Sequence, residues 1–192
     1  MNDELPEEPI FPEADIVYSK FWERLGAFLL DGCIVVAITL PVSYVNITIW
    51  KIPVLFILIG LISTLYKPFL ECRFGATLGK MIVGLQVVGH DFKKITVSEE
   101  IKRLSFYLFP AIIQHIIMIP LYFSTAFEKI NDYREFNQQI SLKNPSLFWI
   151  SFIVVILFLA DTITFFSTQP NRALHDLYAG TNVIEKKRGT KM

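Results

Sequence analysis

Four stretches of this chain are nearly free of charge, and they constrain the fold more than any other feature. Apolar residues make up 53% of the chain and charged residues only 19%, too little polar surface for a water-soluble domain of this size. A helix needs about 20 apolar residues to cross the roughly 30 Å hydrocarbon core of a bilayer. The stretches are residues 25–50 with Asp31, 52–66, 104–127 and 144–171 with Asp161. They predict an all-α, polytopic helical membrane protein.

We predict four transmembrane helices from these stretches. The second stretch has only 15 residues between its flanking lysines, so it spans only if those lysines reach opposite interfaces. Three spans is the competing count. The predicted spans lie near residues 24–46, 52–70, 103–123 and 147–167.

The basic residues predict the orientation. With both termini in the cytoplasm, the inner side carries 14 Lys and Arg residues and the outer side carries 4. We therefore predict a multi-pass protein of the inner or plasma membrane with both termini cytoplasmic. Residues 1–17 are acidic and contain prolines, which favours a disordered tail over a secretory signal. Residues 18–184 then form the membrane domain, and residues 185–192 form a basic tail.

The polar segments between the spans carry weaker signals. Residues 84–88 and 95–97 alternate around a Gly-His-Asp turn and predict a short cytoplasmic hairpin-like loop. Ser98 with Glu99 and Glu100 resembles a helix start, because acidic residues favour the positive end of the helix dipole. We expect residues 124–146 to be an exposed connector outside the membrane.

Two charged residues of the first span are seven positions apart. Arg24 and Asp31 therefore share one helix face, about 10 Å apart along the axis. Arg24 lies beside Trp22 and also has an ordinary explanation as an interfacial anchor. A carboxylate within a membrane is costly and normally faces the bundle interior or water. We therefore expect Asp31 to have a functional or an obligatory pairing role.

Two further polar residues lie within predicted spans. Asp161 lies at about the depth of Asp31, and either has a function or is hydrogen-bonded to Thr162 or Thr164. His115 lies near the midplane, where a hydrogen bond across helices is the ordinary role and proton transfer is the alternative. Asp31, Asp161 and His115 are the candidates for an ion or proton pathway.

Motifs for catalysis or cofactor binding are incomplete. Residues 75–80 are one residue short of a phosphate-binding loop, and Met81 replaces the required Ser or Thr. The pair His175 and Asp176 lacks any nucleophile or metal-ligand motif that would complete it. The 18 basic and 18 acidic residues leave no net charge for nucleic acid to recognise. We expect no enzymatic activity, no cofactor, no metal and no nucleic-acid partner, but contact with the lipid bilayer.

Three sequence blocks stand out, at residues 21–31, at residues 75–80 with 84–88, and at residues 172–181. In content and order these blocks resemble the RDD family of small integral membrane proteins, named for one arginine and two aspartates. By this resemblance, Arg24 matches the family arginine, Asp31 the first aspartate and Asp176 the second. Asp161 has no counterpart in the blocks.

The resemblance implies transport of ligands that are not identified, with sodium/proton antiport as one form. We expect a contribution to ion or small-solute transport, including cation/proton exchange. Four short spans make a narrow bundle, so we expect a homo-oligomer or a membrane protein partner. The alternative is a non-transporting membrane scaffold or assembly factor, in which Arg24, Asp31 and Asp176 form a structural clasp.

Within the transport hypothesis, Arg24 pairs with Asp31 or Asp176, and Asp31 binds the proton or cation. The reason is that Asp31 shares a helix face with Arg24. Asp161 has no charged neighbour on its own helix. We therefore expect Asp31 to govern transport and Asp161 only to modulate it.

Overall fold

The computed structural model describes residues 16–89 and 91–186, most of which are helical. The predicted tails at residues 1–17 and 185–192 lie largely outside the described residues. The long helices are α1 (Phe21–Val45, continued by a π-helical turn at Asn46–Trp50), α2 (Pro53–Phe74), α4 (Val97–Tyr122) and α7 (Ser146–Ser167). The shorter elements are α3 (Leu78–Val83), β1 (Leu85–Val88), α5 (Thr125–Lys129), α6 (Tyr133–Lys143), α8 (Leu174–Ala179) and β2 (Asn182–Glu185).

The four long helices are long and apolar enough to cross a membrane. Each leaves large apolar side chains more than half exposed, among them Ile38, Ile62, Ile116 and Ile163. Exposed apolar surface on this scale indicates contact with lipid. The predicted all-α fold with four transmembrane helices is therefore confirmed, and the three-span count is wrong. The second helix runs past the predicted end at residue 70, and the third starts before residue 103.

The predicted hairpin is wrong in its second strand. Strand β1 pairs antiparallel with β2, with Leu85 opposite Glu185 and Val88 opposite Asn182. Part of the turn exists, because the Gly89 N–H donates to the Lys93 carbonyl at 2.9 Å. Residues 95–97 lead into α4 instead. The distant segment is the better partner because pairing with it buries apolar side chains of both strands almost completely, as at Val87, Val88, Val183 and Ile184.

Helix α4 begins where it was predicted to begin, but its cap is Thr96. The Thr96 hydroxyl accepts a hydrogen bond from the Glu99 N–H at 3.2 Å, and the Glu99 carboxylate accepts one from the Thr96 N–H at 2.8 Å. This reciprocal pair is a capping box, which satisfies two otherwise free backbone donors. Glu100 lies one residue further along and is fully buried.

The chain divides into two compact units. Of the described residues, the polar unit contains 16–31, 67–89, 91–104 and 160–186, and the apolar unit contains 32–66 and 105–159. In the apolar unit, the Phe56 ring stacks on Tyr122 at 4.3 Å and on Phe136 at 5.6 Å. Residues 124–146 are mostly exposed, as expected, but they form α5 and α6 and bury Phe127 and Phe136 in this core. Their position outside the membrane stays a prediction.

Candidate functional site

Asp176 is fully buried at the centre of a group of charged side chains in the polar unit. It lies in α8, which ends at Gly180 in the left-handed conformation (φ +72°), where the Gly180 N–H donates to the Asp176 carbonyl. The Asp176 carboxylate accepts hydrogen bonds from Nη1 of Arg24 and, at 2.9 Å, from Nε of Arg103. Three helices therefore meet at one carboxylate.

Arg24 is fixed by several groups besides Asp176. Its Nε donates to the Ser19 hydroxyl at 2.7 Å, and its Nη2 donates to the Asn171 carbonyl at 3.3 Å. Its guanidinium also lies 4.9 Å from the centre of the Phe165 ring. Of the two partners predicted for Arg24, the structure therefore selects Asp176, and Asp31 is held by other groups.

Arg103 extends the network to Glu71 and Lys80, two residues that sequence reasoning missed. Its Nη1 donates to Oε2 of Glu71, and Lys80 Nζ donates to Oε1 of the same carboxylate at 2.7 Å. Glu71 was missed because it follows the predicted end of the second span. Glu71 and Arg103 lie near the ends of long apolar stretches, where an exposed charge is the ordinary expectation, so the sequence carried no clear signal of their burial.

The network shifts the proton affinity of two groups outside the transmembrane helices. Burial alone would raise the pKa of Asp176, but His175, Arg103 and Arg24 together hold that pKa well below its usual 3.8. Burial and the Arg103 charge lower the pKa of Lys80 to about 8, against the opposing effect of Glu71. Asp176 is therefore ionised throughout the physiological range, whereas Lys80 releases its proton under mildly alkaline conditions.

His175 connects Asp161 to Asp176. Its Nδ1 lies 2.7 Å from Oδ2 of Asp161, and its Nε2 lies 3.3 Å from Oδ1 of Asp176. Its backbone N–H also donates to Oδ1 of Asp161 at 3.1 Å. Asp161 has no charged neighbour on its own helix, as expected, but His175 of another helix is its titratable partner. The sequence considered only neighbours on the same helix, whereas the partner comes from α8.

Asp31 holds the start of helix α3. Its carboxylate accepts a hydrogen bond from the Thr77 hydroxyl at 2.5 Å and one from the Gly79 N–H at 2.7 Å. The Gly79 N–H belongs to the first turn of α3, where backbone donors have no partner within the helix. A Cβ at Gly79 would lie 2.2 Å from the Ala27 carbonyl oxygen, so glycine is what allows α3 to approach this closely.

His115 lies in the apolar unit. Its Nδ1 is 2.6 Å from the Ala111 carbonyl of the same helix, so the predicted hydrogen bond across helices is wrong. The ring instead packs against Gly60 of α2, where a Cβ would lie 2.0 Å from Nε2. Glycine offers the ring space but no side-chain acceptor, and this explains why the hydrogen bond stays within the helix.

Metal binding has no support in the part of the chain that the structure describes. Among residues 16–89 and 91–186, no three His, Cys, Asp or Glu side chains are arranged to hold a metal ion. The absence of a metal or cofactor stays a prediction.

The family of this chain follows from its similarity to known sequences. No curated protein and no solved structure matches the chain. The profile of the RDD family matches residues 18–180, a range that contains Arg24, Asp31 and Asp176. The match covers most of the chain and agrees with the three sequence blocks. The chain belongs to the RDD family of integral membrane proteins.

Proposed function

We propose that this protein contributes to ion or small-solute transport and that His175 and Asp161 exchange protons during that transport, beside an Asp176 that stays ionised. The observation that carries the proposal is the placement of His175, whose two ring nitrogens face two different carboxylates. Imidazole is the side chain that exchanges protons most readily near neutral pH. A doubly protonated ring donates to both carboxylates, and a neutral ring donates to one.

The network gives these residues a continuous connection through the polar unit. Asp176 shares Arg103 with Glu71, and Glu71 is bonded to Lys80. Alternating charges of this kind are expensive to bury in a membrane protein, and such residues commonly mark ion and proton pathways. Cation/proton exchange is the form of transport that this proton-exchanging group supports best.

The 14-to-4 distribution of basic residues supports a plasma or inner membrane protein with both termini in the cytoplasm. We further propose a homo-oligomer or a membrane partner, because a chain with only four spans offers few helices to line a pathway. Catalytic activity is not part of the proposal.

The competing function is a membrane scaffold or assembly factor. It is favoured by the bonds of Arg24, which ties α1 to α8 through Asp176 and to the segment before α8 through Asn171. A clasp of this kind holds helices together and requires no transport of an ion or solute. The two functions make different predictions for His175, because a clasp built on Arg24 does not require a titrating ring.

Transport is tested by reconstituting the purified protein in liposomes that contain a pH-sensitive dye. We expect an inward gradient of Na⁺ or K⁺, but not of choline, to drive proton movement in the wild type. His175→Gln should abolish it at unchanged folded yield, and Asp91→Asn, an exposed change, should not. If the cation gradient drives no more proton movement in liposomes with the wild-type protein than in empty liposomes, the scaffold function is the better account.

A further inference from the structure

Glu100 is a buried carboxyl group that the proposed pathway does not use. It lies in the first turn of α4 and is fully buried, and neither of its carboxyl oxygens has a hydrogen-bond partner among the residues that the structure describes. Its closest cation is Nη1 of Arg103, 3.6 Å from Oε2, which exceeds hydrogen-bond distance. A buried polar oxygen without a donor is costly, and an ionised one is costlier still.

The neighbours of Glu100 explain why no donor reaches it. Nη1 of Arg103 is already bonded to Glu71, and Lys80 is bonded to the other oxygen of Glu71. The titratable and charged side chains that act around Glu100 are Glu71 and Cys72 from α2, Lys80 from α3 and Arg103 from α4. Glu71 therefore takes the donors of both cations and leaves Glu100 beside a second carboxylate, to which Glu100 can hydrogen-bond only by holding a proton.

We propose that Glu100 is a reversible proton-binding site that shares the Arg103 guanidinium with Glu71. A proton taken from water neutralises the Glu100 carboxylate and turns one of its oxygens into a hydrogen-bond donor. A metal cation fits less well, because the two neighbouring cations, Arg103 and Lys80, repel it and no third carboxylate is placed to complete a ligand set among the described residues. The proposal goes beyond the transport function and does not depend on it.

The test is infrared difference spectroscopy of the protein in lipid nanodiscs across a pH series. A protonated carboxyl group has a separate carbonyl band that shifts in heavy water. We expect one such band to titrate in the wild type and to be lost in Glu100→Gln. Glu99→Gln is the matched control, because the amide oxygen still caps Thr96, and it should keep the band.

Identical titrating bands in the wild type and in folded Glu100→Gln would overturn the proposal. If Glu100→Gln does not fold, Glu100→Asp decides, because it keeps an acid in a shorter side chain. The carbonyl band should then change in frequency, and its titration should change in pH midpoint. An unchanged band would contradict the assignment to Glu100. Loss of the wild-type band on adding sodium chloride, but not choline chloride, would show a metal-cation site and overturn the proposal for a proton.

Discussion

At the scale of single residues, the pairing of Arg24 was the least predictable feature of the site. The seven-residue spacing placed Arg24 and Asp31 on one face, and this spacing favoured a pair within the helix. The folded chain offers Arg24 a fully buried carboxylate from a segment 152 positions away. Asp31 meanwhile accepts from Thr77 and Gly79. Spacing within one helix does not reveal such contacts from distant segments.

Arg24 and Asp176 should be strongly coupled in stability. Breaking a buried ion pair by neutralising one partner typically costs about 3–5 kcal/mol, because the other charge stays buried and unpaired. Arg24→Gln and Asp176→Asn should each lower the free energy of unfolding. In a double-mutant cycle the pair should show a coupling of about 2 kcal/mol or more. The measurement is equilibrium unfolding in mixed micelles.

The cycle of Arg24→Gln with Asp31→Asn is the control, and we expect a coupling near zero. Equal coupling in both cycles would mean that Arg24 is shared between the aspartates. No coupling to Asp176 would contradict the network itself.

Asp176 should also give stability a specific pH dependence. Its folded-state pKa is held below 3.8, so the unfolded chain binds the proton first as the pH falls. Stability should therefore be intact above that value and decline below it, by up to about 1.4 kcal/mol per pH unit. Chemical unfolding between about pH 5 and about pH 3 measures this slope. In Asp176→Asn, the free energy of unfolding should change less with pH over this range. An equally steep slope in that variant would assign the acid sensitivity to other groups.

At the scale of elements, the sequence predicted the helices better than the strands. Long apolar stretches define the four membrane helices because bilayer thickness sets their length. The strands β1 and β2 have only four residues each and are separated by 93 positions. Residues 95–97, across a local turn, were therefore the expected partner of residues 84–88, although burial favours the distant segment. Short strands whose partner is remote in sequence carry no local signal of that partner.

The contact between α1 and α3 depends on Gly79. A Cβ there would lie 2.2 Å from the Ala27 carbonyl and 2.8 Å from Cγ of Asp31, so Gly79→Ala should force α3 away. We expect a loss of about 1–3 kcal/mol, as for other overpacked sites. Gly26→Ala is the matched control on the facing helix, since nothing lies within 4 Å of its Cβ position. That change should be neutral or stabilising by up to about 1 kcal/mol.

Thermal unfolding of the two variants in the same detergent measures the difference. If Gly79→Ala is as stable as Gly26→Ala, α3 does not pack as closely on α1 as the structure describes.

At the scale of the whole molecule, the distribution of charge predicts the topology. Asp91 and Asn131 are exposed and lie on opposite sides in the predicted orientation. Both native cysteines are free, so their replacement removes no disulfide. In that background, Asp91→Cys should react only with a membrane-permeant reagent in intact cells, and Asn131→Cys should also react with an impermeant one. The opposite labelling pattern would mean that the protein has the inverted orientation in the membrane.

The sequence singled out Arg24, Asp31 and Asp176 but not most of the charges around them. These three residues were assigned by resemblance to family blocks, because each block is local, and their assignment as the family residues stays a prediction. Glu71, Glu100 and Arg103 lie at helix ends, where an exposed charge is the ordinary expectation. Their burial follows from how α2, α4 and α8 meet in the polar unit, and no single stretch of sequence contains that information.

The central claim is that the proton pathway runs through Asp161 and His175, beside the ionised Asp176, rather than through Asp31. It is tested most directly by cation-driven proton flux in proteoliposomes that contain Asp161→Asn or Asp31→Asn at matched folded yield. The account predicts that Asp161→Asn abolishes flux, because His175 loses its titratable carboxyl partner at 2.7 Å. Asp31→Asn keeps an oxygen for the Gly79 N–H and should retain flux. Normal flux in Asp161→Asn together with lost flux in Asp31→Asn would contradict the account.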